Sequence, residues 1–267
     1  MSALHTIAAL LRHGWARHRA ALIPIVLAIG VFQFLLTRIA PAANEANWIG
    51  SMMAMLPPEL RELAGGNLAM TSGGFLAVAY AHPFFILLLS AWIIRTSSAA
   101  VAGEVGLGTM DLLASRPAAR WTFVVAGLIT VMVGLAAIAG AALLGTTIGV
   151  GARALGVTGR QFAPIAFTAW LLFAALGGVG LLISATRRDG GQATAWTIAV
   201  VAGSFVLDYV ARLWAPIART RPLSLFRYYE PPVILVSGIP SITLVVLSSV
   251  LIVSVTLAIV IVQRRDL

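Results

Sequence analysis

The sequence has 267 residues, of which 60% are apolar and only 10% are charged, and its net charge is +9. Because a soluble domain has about 25% charged residues, this composition excludes an ordinary soluble protein and indicates a polytopic membrane protein. The chain has no cysteine, which excludes disulfides and thiolate nucleophiles, and all eighteen basic residues are arginine, which excludes a lysine-dependent phosphate-binding loop and Schiff-base catalysis.

The residues before the first long apolar run form a basic segment, 1–20, with apolar residues at helical spacing. Its apolar stripe consists of Leu4, Ile7, Leu11 and Trp15, and Arg12, Arg17 and Arg19 lie elsewhere on the helical wheel. This pattern predicts an amphipathic helix at the membrane interface. The apolar run that follows is longer than the core of a secretory signal, so we expect it to be retained as a first span.

Six apolar runs are long enough to cross a hydrocarbon core about 30 Å thick. Lipid offers no partners to backbone groups, so each run is predicted to be a helix. The expected fold is therefore an all-α polytopic membrane protein, one transmembrane domain over residues 1–267, with spans at about 21–39, 74–95, 121–150, 162–185, 193–213 and 241–262.

Six crossings place both termini on one side of the membrane. The short basic stretches RRDGG and QRRDL lie next to helix ends on that side, and the positive-inside rule then predicts that both termini are cytoplasmic. We expect a multi-pass protein of a cell membrane of the bacterial inner-membrane type. The arginines are expected to meet anionic lipid rather than nucleic acid.

Two spans contain ionisable residues. His82 precedes Pro83 within the second span and is interpreted as a neutral side chain that satisfies a carbonyl freed by the proline. Asp208 and Arg212 are four residues apart near the outer end of the fifth span. That spacing predicts an ion pair on one helix face at the membrane boundary.

Small residues recur four apart in the third and fourth spans, at Ala136 and Gly140, Gly145 and Gly149, and Gly180 and Ser184. This spacing lets helices approach closely. The sequence leaves open whether the contacts are within the chain or between subunits. The outer loop 41–72 contains Met52, Met53, Met55 and Met70, which suit apolar packing better than a soft metal such as Cu(I).

The stretch 103–120, GEVGLGTMDLLASRPAAR, contains more acidic and basic residues, glycine and proline than a turn between two helices requires. Thr109 can cap a short helix that has Asp111 in its first turn. Leu112 and Leu113 give this helix an apolar side, and Pro117 ends it. The pattern predicts a short cytoplasmic helix that is held at both ends beneath the membrane.

At these positions the sequence resembles the type-two ABC exporter permeases, whose pattern is E-x-x-x-G-T-x-[ED]-L-L…P…R. The matching residues are Glu104, Gly108, Thr109, Asp111, Leu112, Leu113, Pro117 and Arg120. Asp111 stands where glutamate is commoner, and Ala118 and Ala119 replace the usual polar residues. SLFRYYEPP, residues 224–232, is similar to a second stretch of the family and includes Phe226, Tyr228, Tyr229 and Glu230. There the resemblance implies an outer loop, 214–240, with re-entrant helices.

The resemblance implies the membrane subunit of an ATP-driven exporter, with no catalysis and no cofactor of its own. In that family the 103–120 segment forms a coupling helix that docks on a separate ATP-binding subunit, which holds ATP and Mg. A second permease subunit, identical or related, and membrane lipid are the other expected partners, and the expected cargo is amphipathic or hydrophobic. The alternatives are an ion-gradient-driven secondary transporter and the membrane subunit of a metal-maturation ABC complex.

Overall fold

A computed structural model describes residues 3–45, 54–55, 71–106, 108, 119–152 and 156–264. Every regular element in these ranges is helical, which confirms the predicted all-α fold. The α-helices are α1 Ala3–Glu45, α2 Ser72–Ala79, α3 Pro83–Ser98, α4 Glu104–Gly106, α5 Trp121–Gly151, α6 Ala163–Thr186, α7 Gly190–Leu213, α8 Pro231–Ser237 and α9 Ser241–Arg264.

Shorter helical elements connect these helices. A π-helix, Ala99–Gly103, joins α3 to α4, and three 3₁₀ segments lie at Gly159–Phe162, Ala215–Leu223 and Leu225–Tyr228. Six helical stretches of the described residues are long and apolar enough to cross a membrane, and the second of them, Ser72–Gly106, runs from α2 to α4. The predicted number of spans is confirmed.

Helix α1 is a single helix where the sequence predicted two segments, 1–20 and 21–39. No break occurs at residue 20, and the 43 residues of α1 extend about 64 Å, roughly twice the thickness of the hydrocarbon core. The uncharged run from Ala20 to Thr37 covers about 27 Å of this length. Arg19 and Arg38 therefore lie about one hydrocarbon thickness apart, and the residues before Arg19 continue beyond it. Their interfacial location stays a prediction.

The second span is broken at His82 and Pro83. Helix α2 ends at Ala79, and Pro83 is the first residue of α3, with His82 as its N-cap. Nδ1 of His82 accepts a hydrogen bond from the Phe84 N–H at 3.2 Å. The interpretation that His82 satisfies a freed carbonyl is thus wrong, because the open groups at a helix start are N–H donors, which need an acceptor.

Helix α6 is the central helix and contacts α3, α5, α7 and α9. Small residues make these close contacts possible. A Cβ on Gly145 of α5 would collide with the carbonyl oxygen of Gly30 on α1, and one on Gly180 of α6 would collide with Ser97. A Cβ on Gly140 would have no neighbour within 4 Å. Gly145 and Gly180 therefore allow close helix packing within the chain, and their contacts are not contacts between subunits.

Replacing Gly145 by alanine is expected to lower the melting temperature of the purified chain. The new methyl group meets backbone, which cannot rotate away, and overpacking of this kind costs about 1–3 kcal/mol. Gly140→Ala on the same helix is the matched control and is expected to leave the melting temperature unchanged or slightly raised. Equal melting temperatures for both variants would show that α1 and α5 do not meet at Gly145.

Candidate functional site

The motif stretch 103–120 begins at a distorted helix. We call the end of the bundle that carries Arg19, Arg95 and Arg264 the inner end. There, the Ser184 hydroxyl of α6 accepts hydrogen bonds from the N–H groups of Val101 (3.2 Å) and Ala102 (3.0 Å). It also donates to the carbonyl of Ser98 at 3.2 Å. A side chain that enters a helix ladder in this way distorts it, and π-helical turns often mark functional sites.

Glu104, the first motif residue, lies against α1. Its side chain is 10% exposed, and Nη1 of Arg17 donates a 2.7 Å hydrogen bond to its Oε1. Nε2 of His13 is 4.0 Å from the same oxygen. The carboxylate thus faces α1 within the bundle. Its predicted role in docking stays a prediction, and the observed contact joins the start of the 103–120 segment to α1.

The start of the motif stretch also packs on the loop between α6 and α7. A Cβ on Gly106 would lie 3.6 Å from the carbonyl oxygen of Arg188, and one on Gly190 would lie 3.2 Å from the Cα of Gly103. These glycines allow backbone to lie directly on backbone. A displacement of residues 103–106 would therefore also displace the start of α7 and the contacting part of α1.

Gly108 has a conformational reason to be glycine. Its φ is +67°, which is the left-handed region that other residues rarely adopt. Its N–H donates to the Val105 carbonyl at 3.0 Å, as at helix ends that close with a glycine. The chain is thus turned out of the second span immediately before Thr109.

The remaining predicted docking residues are only partly described. Thr109, Asp111, Leu112, Leu113 and Pro117 lie outside the described residues, and the short helix predicted there stays a prediction. Arg120 is described and half-buried, and it immediately precedes α5.

Sequence reasoning missed His18. This residue is 5% exposed, and its ring lies edge-on to Trp92 with the centroids 6.1 Å apart. Together with Arg17, Glu104 and Thr130 it lines a cavity of about 50 Å³ at the inner end. One position could have pointed to this face: Gly14 lies one turn earlier on α1, and a Cβ there would lie 3.5 Å from the Thr130 hydroxyl of α5. The prediction of an interfacial helix had left no buried face for these residues.

The second motif stretch, 224–232, is fixed to the opposite, outer end. Phe226 is buried between Phe173 and Phe205, edge-on to both, with ring centroids 6.0 Å and 5.3 Å away. The Tyr229 hydroxyl donates to the Tyr80 carbonyl at 3.0 Å, at the break of the second span. Burial raises the pKa of Tyr229, so the hydroxyl stays protonated and can donate. Tyr228 donates to the Pro222 carbonyl at 3.2 Å.

The predicted pair of Asp208 and Arg212 is confirmed, and it belongs to a larger ionic cluster. Arg212 and Arg221 each donate through Nε to Asp208 at 2.9 Å. Both also pair with Glu230, which Arg227 contacts at 3.3 Å. Burial alone would lower the pKa of Arg221, but its bonds to Asp208 and Glu230 outweigh this effect and raise the pKa. The cluster therefore fastens the outer loop to α7. The re-entrant path predicted for 214–240 stays a prediction.

The other predicted residues are surface residues or undescribed. Arg12, Trp15 and Arg19 are exposed on α1. Met55 is 84% exposed, and Met52, Met53 and Met70 lie outside the described residues.

A protein-family model described as ABC-2 family transporter protein matches residues 16–267 of the chain. The match includes both motif stretches and all six candidate spans apart from the first residues of α1. No curated protein matches the sequence.

Proposed function

The chain belongs to the ABC-2 family of transporter proteins, and we propose that it is the permease of an exporter powered by a separate ATP-binding subunit. Family membership makes it the membrane subunit of an ABC transporter, a transport component rather than a catalyst. The observation that carries the finer proposal is the contact of Arg17 with Glu104, which joins α1 to the start of the 103–120 segment.

The energy source is assigned to the partner. A phosphate-binding loop needs a lysine that reaches the phosphates, and this chain has none. ATP and Mg would therefore be held by the ATP-binding subunit. The partner would dock on the apolar side formed by Leu112 and Leu113.

Two contacts give the docked partner a route to the spans. A push on the 109–115 region reaches α1 through Glu104 and Arg17 and reaches α7 through the packing of Gly106 and Gly190. Closure of the paired ATP-binding subunits would move these helices as rigid bodies. The pathway between two permease subunits would then open alternately inward and outward, with a different substrate affinity in each state.

The charge distribution favours an amphipathic or hydrophobic cargo. The two buried acids of the described residues, Glu104 and Asp208, are both paired with arginine. Neither is left to bind a cation or carry protons, as a gradient-driven transporter requires. This supports the exporter over the secondary-transporter alternative.

The test compares the purified chain with the reconstituted complex in vesicles. We expect the chain alone to hydrolyse no ATP and to move an amphipathic fluorescent probe under neither ATP nor a pH gradient. Addition of the ATP-binding subunit should give both activities, and replacement of the partner's phosphate-loop lysine should abolish them. Uptake by the chain alone under a pH gradient would contradict the proposal and favour the secondary transporter.

A further inference from the structure

We propose that a groove between α1 and α5 at the inner end binds an anionic phospholipid, with Arg12 and Arg19 holding the headgroup phosphate. The proposal concerns a surface that the coupling mechanism does not use. It stands independently of whether the chain exports its cargo.

The groove has a volume of about 450 Å³ and combines a polar rim with an apolar floor. Arg12, Trp15 and Arg19 of α1 line one side, and Ile129 and Val133 of α5 line the other. Val133 is 48% exposed and Trp15 is 44% exposed. An aliphatic chain can therefore lie on the floor while a charged group stays at the rim.

The two rim arginines lie on one face of α1. Arg12 and Arg19 are two helical turns apart, about 10 Å along α1, and so lie on the same face. Both are exposed, and within the described residues neither forms a hydrogen bond or an ion pair. Arg17, between them in sequence, points elsewhere and is neutralised by Glu104. Among the described residues the groove thus carries two positive charges without a counter-charge, which an anionic headgroup complements.

The length of the uncharged run of α1 indicates where the groove lies relative to the bilayer. Arg19 ends the uncharged run of α1, whose other end is Arg38 one hydrocarbon thickness away. Trp15 is one turn beyond Arg19, and tryptophan and arginine are the residues that anchor proteins at this level. Val133 lies on the bilayer side of Ile129 along α5. A phospholipid can use both the charged rim and the apolar floor, whereas free phosphate would use only the rim.

Native mass spectrometry of the full chain tests this proposal by measuring the ratio of bound phosphatidylglycerol to bound phosphatidylcholine. Each arginine near an anionic lipid surface contributes about 1 kcal/mol, so Arg12→Gln/Arg19→Gln should lower this ratio about 30-fold. Arg95→Gln/Arg188→Gln is the matched control, because it removes two exposed arginines from the inner end outside the groove. It should keep the wild-type ratio.

Two further measurements distinguish a bound phospholipid from free phosphate and from a second copy of the chain. Val133→Trp fills the floor and should reduce binding of phosphatidylglycerol although both arginines remain, and millimolar inorganic phosphate should not displace the lipid. An unchanged ratio in Arg12→Gln/Arg19→Gln, an equal loss in the control, or displacement by phosphate would overturn the proposal. A shift in oligomeric state without a change in the lipid ratio would also overturn it, because the occupant would then be a second copy of the chain.

Discussion

Replacement of Glu104 by alanine is expected to uncouple ATP hydrolysis from export while the ATP-binding subunit stays bound. The substitution leaves Arg17 without its acceptor and frees α1 from the start of the 103–120 segment. Coupling free energies between sites are about 1–3 kcal/mol, so export per ATP hydrolysed should fall by about 5- to 150-fold. Parallel assays of hydrolysis and probe transport in vesicles give this ratio directly.

A double-mutant cycle distinguishes loss of the contact between Arg17 and Glu104 from a separate loss of stability in each variant. Arg17→Ala should resemble Glu104→Ala, and the double variant should be no worse than either single variant, because residues that act as one contact are not additive. The exchanged pair Arg17→Glu/Glu104→Arg should recover part of the coupling. Arg264→Ala removes an exposed arginine at the same end and should export normally. Additive losses in the double variant would show that the two residues act separately.

Replacement of Leu112 and Leu113 by aspartate is expected to abolish recruitment of the ATP-binding subunit. Each leucine buried in a partner groove contributes about 1.5–3 kcal/mol, and a charge at the same place must also be desolvated. Affinity should therefore fall by at least about 100-fold. Capture of the partner by the tagged, membrane-inserted chain measures this loss, with export abolished as a consequence.

The control for this variant is Ser115→Asp, which adds an acid to the same segment outside the leucine pair. It should retain the partner, and the amount of membrane-inserted chain should be equal in both variants. Partner capture that is unchanged by Leu112→Asp/Leu113→Asp would place the docking surface elsewhere. The outcome also differs from that of Glu104→Ala, since the leucines are expected to hold the partner and the glutamate to transmit its movement.

Local sequence patterns predicted the spans and one ion pair. Span number follows from the length of uncharged runs, and Asp208 with Arg212 follows from helical spacing, because both depend on neighbours in the chain. The sequence did not predict that Arg221 and Glu230 also belong to this ionic cluster, because they lie in the outer loop, which folds back onto α7. Likewise Arg17 and Glu104 are 87 residues apart, and no local periodicity connects them.

The errors have equally local causes. A proline within an apolar run predicts a kinked helix around His82, whereas Pro83 begins a new helix whose open backbone groups are N–H donors. The pattern of residues 1–20 predicts a helix with one apolar stripe, yet His18 contacts Trp92 and Arg17 pairs with Glu104 on neighbouring helices. A basic amphipathic pattern does not reveal whether a polar residue faces water or another helix.

The composition of the complex, isolated gently from its native membrane, tests the central claim most directly. If this chain is the permease of an ATP-driven exporter, it should be recovered with an ATP-binding subunit that carries a phosphate-binding loop, in equal numbers of copies, two of each when the permease pairs with itself. Recovery of the chain without any ATP-binding subunit, in a form that still transports under an ion gradient, would contradict the claim.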